Sequence, residues 1–305
     1  MKIVLPLPDT LTSQFIVTLT GDEAVPWRLG GPHRRLALTT LGTPRLRLTR
    51  HRGQWKPIGV TLTRDERRLL RRSDQYLAVS TTTPLHDQPA AVQAARAVAR
   101  ALATAHGTLL ADPLTGATLP AREPEPGAFR LQDGWLGWDI GFHDETLPSR
   151  TTAGTRDGLT ITSRGLRRFA LPDITITSRG LRRFALPEIT ITLRRPYRSA
   201  PPGSTTCTHA LCATQLLRTV AARLVADHLA FAAANPDARR RAIDDHLPLP
   251  PGPHGVRLLP CTPADGSIQR LEVAPTDGTS PIPCLETNPP SDRTDPLTTP
   301  TPHAA

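Results

Sequence analysis

The sequence predicts an α+β protein: a largely antiparallel sheet with two main helices packed on it and a disordered, proline-rich C-terminal tail. Three observations predict it. Short β-type runs separated by Gly and Pro turns fill the first 84 residues and return after residue 108. Two longer segments, about 89–106 and about 210–234, carry helix start and stop signals. Beyond them proline dominates, with 15 of the 33 prolines falling from Pro236 onward. Each half places strands before a helix, which suggests two similar lobes of one core. The expected organisation is a β-rich lobe at 1–128, an α+β lobe at 129–273 and a disordered tail at 274–305.

The elements follow in order. Phe15-Ile16-Val17, Leu36-Ala37-Leu38, Leu46-Arg47-Leu48 and Val60-Thr61-Leu62 are candidate strands, punctuated by Gly30-Gly31-Pro32, Gly42-Thr43-Pro44 and Arg52-Gly53. Thr63 to Arg72 begins on a capping threonine, with acids in the first turn and arginines in the last, as the helix dipole favours. Gln75–Thr81 is the next strand. The first strong helix has Pro89 at its start, an alanine-rich interior with Val92, Val98 and Leu102, and Gly107 just past its end. Strands are expected again at Thr108–Leu110 and Trp135–Ile140, with a proline-bearing loop at Leu119–Gly127 between them. In that second strand Trp135 and Trp138 project to opposite faces, one to the core and the other free for a ligand or partner.

Residues 161–190 hold a tandem duplication. ITSRGLRRFALPDIT at Ile161–Thr175 is followed at once by ITSRGLRRFALPEIT at Ile176–Thr190, the two differing only at Asp173 and Glu188. Two copies are too few for a solenoid. One copy is therefore expected to fill an ancestral position, favoured as the second, and the other to be looped out or to extend a hairpin, each unit reading strand, turn, strand. The second strong helix presents Leu216, Leu217, Val220, Leu224, Val225 and Phe231 on one face with Arg218, Arg223 and Asp227 off it, and Thr208 as its candidate cap. Asn235-Pro236 ends it and is expected to start a shorter helix reaching about His246. Val256–Leu259 and Ile268–Val273 pair as a hairpin across Ala264-Asp265-Gly266.

The stretch from about Gly158 to Leu247, with TSRGLRRFALPEITI, THALCATQLLRTVAARLVADHLAFAAANPDA and IDDHL, resembles uncharacterised actinobacterial proteins of unknown function. The resemblance implies that one GLRRFALPE copy and the following helix form a single folding unit. It carries over no activity and no catalytic residue.

Charge and cysteine usage bound the function. The chain carries a net +10, and 35 of its 37 cationic side chains are arginines, a bias that a GC-rich genome also produces. The excess is clustered: 14 cations against 6 acids in residues 1–84 and 9 against 2 in residues 161–198, while the stretch from Ala274 has 1 against 4. Such blocks point to an acidic partner, a protein or a nucleic acid. No apolar run of about 18 residues is present to span a bilayer. MKIVLPLPDT lacks a cleavage site, so residence is expected to be cytoplasmic and Cys207, Cys212, Cys261 and Cys284 reduced.

Three clusters carry candidate chemistry. Arg164, Arg167 and Arg168, with their copies Arg179, Arg182 and Arg183, set two R-x-x-R-R groups beside Phe169 and Phe184, a combination that holds phosphates and stacks bases. The plainer account is a charged edge that keeps strands apart, with the phenylalanines in the core. His143, Asp144 and Glu145 follow a strand end, where acid, base or metal-ligating groups often lie, and Asp244-Asp245-His246 offers a second such group at a helix C-terminus. The plainer account of the first is a solvated polar turn that closes the strand. Cys207, His209 and Cys212 give zinc-compatible ligands with Cys261 or Cys284 as a fourth, against the plain alternative of small buried cysteines. No nucleophile elbow, phosphate loop or H-E-x-x-H accompanies any of them. The function expected is therefore a non-catalytic binding protein that uses an arginine-rich edge. Nucleic-acid binding and a metal-dependent or acid/base hydrolase are the alternatives, with no cofactor required unless zinc binds.

Overall fold

The computed structural model describes residues 1–21, 26–145, 156–164, 188–194, 209–248, 255–261 and 270–275. Its strands sort into three sheets. In the first half β2 (Leu11–Leu19), β3 (Arg47–Arg52), β4 (Gln75–Thr83), β5 (Leu110–Asp112) and β6 (Ala117–Thr118) form a five-stranded antiparallel sheet in the order β3-β4-β2-β5-β6. In the second half β7 (Gly137–Glu145), β8 (Arg156–Arg164), β9 (Glu188–Arg194), β11 (His246–Pro248), β12 (Gly255–Cys261) and β13 (Arg270–Pro275) form a six-stranded sheet in the order β11-β12-β13-β9-β8-β7. Only the β13–β9 pair is parallel among the described strands. A two-stranded ribbon pairs β1 (Lys2–Pro6) with β10 (Arg240–Asp244), tying the first residues of the chain to its second half.

Four α-helices occur among the described residues: α1 (Arg34–Thr40), α2 (Arg64–Arg72), α3 (Gln88–His106) and α4 (His209–Ala234). Alternation in β2 sends Phe15 and Val17 to one face and Ile16 to the other. The first face is covered by α3, whose Ala95, Val98, Ala99 and Leu102 are buried and small enough to let the helix lie close. At its end Gly107 takes φ 62°, a left-handed value that glycine adopts without strain, and its N–H caps the Ala103 carbonyl. The same core continues through Leu217, Val220, Leu224 and Val225 of α4 to Leu258 and Leu271 of the six-stranded sheet. The opposite face of the five-stranded sheet carries a second, smaller cluster of Ile16, Ala78, Leu109 and Ala111, roofed by Trp55 and by Leu70 of α2.

The α+β class, both long helices, the capped helix at 64–72 and the β12–β13 hairpin agree with expectation. Several elements differ. Leu36–Leu38 is helical, in α1, because a three-residue apolar run fits either period and here Ala37 is buried in the core beside half-buried Leu36. Val60–Leu62 is irregular and serves as cover for the second cluster. Trp135 precedes β7, so it does not share a strand with Trp138. Residues 235–246 are a turn and two strands rather than a helix: the Asn235 side chain and N–H both return to the Phe231 carbonyl and close α4, and β10 then finds its partner in β1.

The duplication is shared between two strands. Ile161–Arg164 of the first copy end β8, Glu188–Thr190 of the second open β9, and Thr162 pairs with Thr190. The described strands thus draw on both copies, and the interior, 165–187, lies outside the described residues, as do Thr208 and the tail 276–305.

Two ionic groups fasten these layers. Arg96 of α3, 1% exposed, donates through Nε and Nη2 to the two Glu125 carboxylate oxygens at 2.8 and 2.6 Å and through Nη1 to the Asp133 carbonyl at 2.7 Å. Arg100, one turn on, donates to the carbonyls of Glu123 and Pro124. Burial pulls its guanidinium below the ordinary value against the opposing pull of Glu125. Together they clamp the proline-bearing loop onto α3. At the ribbon, the Met1 ammonium lies 2.6 Å and Arg257 Nε 3.0 Å from buried Asp245. The hydrogen bond from the ammonium outweighs the effect of burial, and with Arg257 it holds the Asp245 carboxyl down to about 2. A depressed carboxylate contributes stability above its unfolded value of about 4 and loses it as pH falls toward 2. Denaturant midpoints measured from pH 6 to pH 2 should therefore fall in that window, and Asp245→Asn should flatten this part of the profile. A variant with the wild-type slope would show that other carboxylates carry the acid sensitivity.

Candidate functional site

The basic block of the first half lies at the β3 edge of the five-stranded sheet: α2 covers the face of the smaller cluster, which Arg47 shares, while alternation along β3 sends Arg50 and Arg52 to the α3 face. Residues 45–72 hold ten cations, Arg45, Arg47, Arg50, Arg52, Lys56, Arg64, Arg67, Arg68, Arg71 and Arg72, against Asp65 and Glu66, which is eight of the chain's ten net positive charges. They lie on β3, an edge strand, on α2, and on the segment that joins them. The capping box fixes α2: Thr63 accepts from the Glu66 N–H, and the Glu66 carboxylate accepts from the Thr63 N–H and the Thr118 hydroxyl. Burial alone would raise the Glu66 carboxyl, but the bonds from Thr118 and Thr63 hold it below its ordinary value. Glu66 is thus committed to the helix start.

Most of the arginines are not spent on the fold. Arg45 pairs with Asp87, Arg68 with Asp65 at 3.1 Å, and Arg50 donates to Gln75 and to the Gly21 carbonyl. Arg47, Arg52, Lys56, Arg64, Arg67, Arg71 and Arg72 are exposed and have no carboxylate partner among the described residues. Cross-strand neighbours His51 and Tyr76 stack at 4.7 Å with planes 12° apart, both half-buried.

An open groove of about 370 Å³ runs between the 54–62 segment and α2. Pro57, Val60, Leu62 and Leu70 give it apolar walls, and Arg67 and Arg71, one helical turn apart, stand on its rim with Gln54. Gln54 Nε2 donates to the Leu70 carbonyl at 2.7 Å, which holds the segment against the helix. The arrangement offers an apolar slot between cations and a platform of exposed arginines. It presents no paired acid and base.

The residues singled out from the sequence are placed differently. Arg164 is the last residue of β8, while Arg167, Arg168, Arg179, Arg182 and Arg183 lie outside the described residues. His143, Asp144 and Glu145 do not follow a strand: β7 runs through them, and they oppose Gly158, Asp157 and Arg156 of β8. The ladder extends because β8 supplies partners up to its own first residue. His246 sits exposed on β11 opposite Arg257, and Asp244 and Asp245 lie at a strand end and in the ionic group with Met1, so no helix terminus joins the three. His209 and Cys212 are in the first turn of α4, Cys207 lies outside the described residues, and among the described residues no cluster of three His, Cys, Asp or Glu can hold a metal. No described helix is long and apolar enough to cross a membrane. The face on β3 and α2 falls within the first basic block, but the exact repeat drew attention to the second; a running charge count over residues 45–72 was the available signal.

Comparisons with protein-family models, with curated proteins and with solved structures find no match, and the resemblance drawn over residues 158–247 gains no support from them.

Proposed function

We propose that this chain is a binding protein that holds an acidic macromolecule on the β3–α2 face. One observation carries the reading: eight of the ten net positive charges fall in 28 consecutive residues, and most of those side chains are exposed without an acidic partner. Exposed arginines of one sign repel one another and favour the arrival of a polyanion. Their planar forks suit phosphate and carboxylate alike. Charge on the edge strand also blocks stray strand pairing, which accounts for Arg47, Arg50 and Arg52 but not for five arginines on the nine-residue α2.

Fluorescence anisotropy of labelled oligonucleotides and of labelled polyglutamate, titrated with the full chain at low and physiological salt, tests it. Binding is expected to weaken along a steep log–log salt slope. Arg67→Ala with Arg71→Ala should reduce that slope by about 1.4 for a single strand, at about 0.7 per phosphate contact. Arg182→Ala with Arg183→Ala asks the same of the duplicated block. Loss confined to the second pair would move the surface to the repeats, and no binding at low salt by any polyanion would reject the proposal.

A further inference from the structure

The groove narrows the class of partner. Resting on the reading above, we infer that the ligand is a single-stranded nucleic acid, one unstacked base of which enters the slot between the 54–62 segment and α2. The slot has the size of a small-molecule site, which begins at about 300 Å³. Its apolar walls, Pro57, Val60, Leu62 and Leu70, match the faces of a base and have nothing to offer a phosphate. Ile58, 72% exposed, is the chain neighbour of the wall residue Pro57. Such an exposed isoleucine contributes little to the folded chain and is suited to covering a bound ring.

The polar groups stand where a nucleotide would need them. Gln54 spends one N–H on the Leu70 carbonyl and keeps its carbonyl oxygen and second N–H, a donor beside an acceptor that matches a base edge. Arg67 and Arg71, both on the rim, are separated by one helical turn, about 5.4 Å. That interval exceeds the 3.4 Å rise per nucleotide of a duplex strand. An extended, unstacked strand meets such spacing with one phosphate per step. A duplex keeps its bases stacked inside and can place only its backbone here. An acidic peptide satisfies the cations and can pair its backbone with the amide of Gln54, but its carboxylate side chains bring no flat apolar ring to lie against Pro57, Val60, Leu62 and Leu70.

The test compares three probes of equal length and label on the full chain: oligo-dT, the same strand with abasic residues throughout, and a duplex. The expected result is abasic binding about tenfold weaker than oligo-dT with the same salt slope, since the phosphates are unchanged, and duplex binding no tighter than abasic. Val60→Trp, which fills the slot from a half-buried wall position, should bring oligo-dT down to the abasic value and leave the abasic probe unaffected; Ile58→Ser, at the exposed residue next to Pro57, gives a smaller loss in the same direction should the larger side chain disturb folding. Equal affinity for oligo-dT and its abasic counterpart would overturn the inference while leaving salt-dependent polyanion binding in place. Tighter binding of polyglutamate than of any strand would overturn it in favour of an acidic protein. Loss of all binding at low salt would remove both readings together.

Discussion

Replacing Glu125 with alanine is expected to destabilise the fold by about 3–5 kcal/mol, the cost of breaking a buried ion pair from one side. The carboxylate is 3% exposed, takes two hydrogen bonds from Arg96, and lies 3.2 Å from Arg100 Nη1. Without it two guanidiniums one helical turn apart share a buried site, with Asp133 and the exposed Glu123 as the carboxylates still near Arg100. The clamp on the proline-bearing loop is left with the carbonyl bonds from Arg96 and Arg100. Gln93 and His33 still hold the Pro126 carbonyl, at 3.0 and 2.7 Å, so the loop is not released altogether. The measurement is the urea midpoint at unchanged m-value, against a total stability typically of about 5–15 kcal/mol. A loss below about 1 kcal/mol would mean that the loop re-seats and lets both arginines reach water.

That prediction exposes what a sequence of this composition hides. Arg96 and Arg71 are the same residue type on two helices, yet one is buried in an ionic clamp and the other stands on the rim of a groove. What separates them is a carboxylate 29 residues away in the chain. Local signals were enough for α3, for α4 and for the β12–β13 hairpin, where caps, periodicity and turns lie inside the element. They failed for β10, which forms a strand because residues 2–6 arrive beside it, some 240 positions distant. For the candidate site, the clustering of charge in the first 84 residues was readable. That α2 sets Arg67 and Arg71 beside the irregular 54–62 segment, and that this segment opens a slot there, depends on tertiary packing that no spacing encodes. The duplicated R-x-x-R-R groups were conspicuous for a different reason, their identity, which reflects copying and says nothing about surface chemistry.

Trp135 should be the most costly apolar position to truncate. It is fully buried just before β7, within the main core. Phe15 of β2 meets it edge-on at 6.3 Å and Phe129 lies tilted at 5.5 Å, while the Arg96 guanidinium sits 3.5 Å over its ring. Trp135→Ala therefore removes a large side chain from a packed site, worth about 3–5 kcal/mol for this class of substitution. It also removes a desolvated cation–π contact worth about 2 kcal/mol, so the upper end of that range is expected. Trp135→Phe should cost much less, because a smaller ring keeps a face toward Arg96. Combining Trp135→Ala with Glu125→Ala separates the two roles of the arginine. If Arg96 is held jointly by ring and carboxylate, the double variant loses less than the two single losses added, with a coupling of about 0.5–3 kcal/mol. Additive losses would instead mean that the ring packs independently of the charge it covers, and the clamp on α3 would then reduce to hydrogen bonds alone.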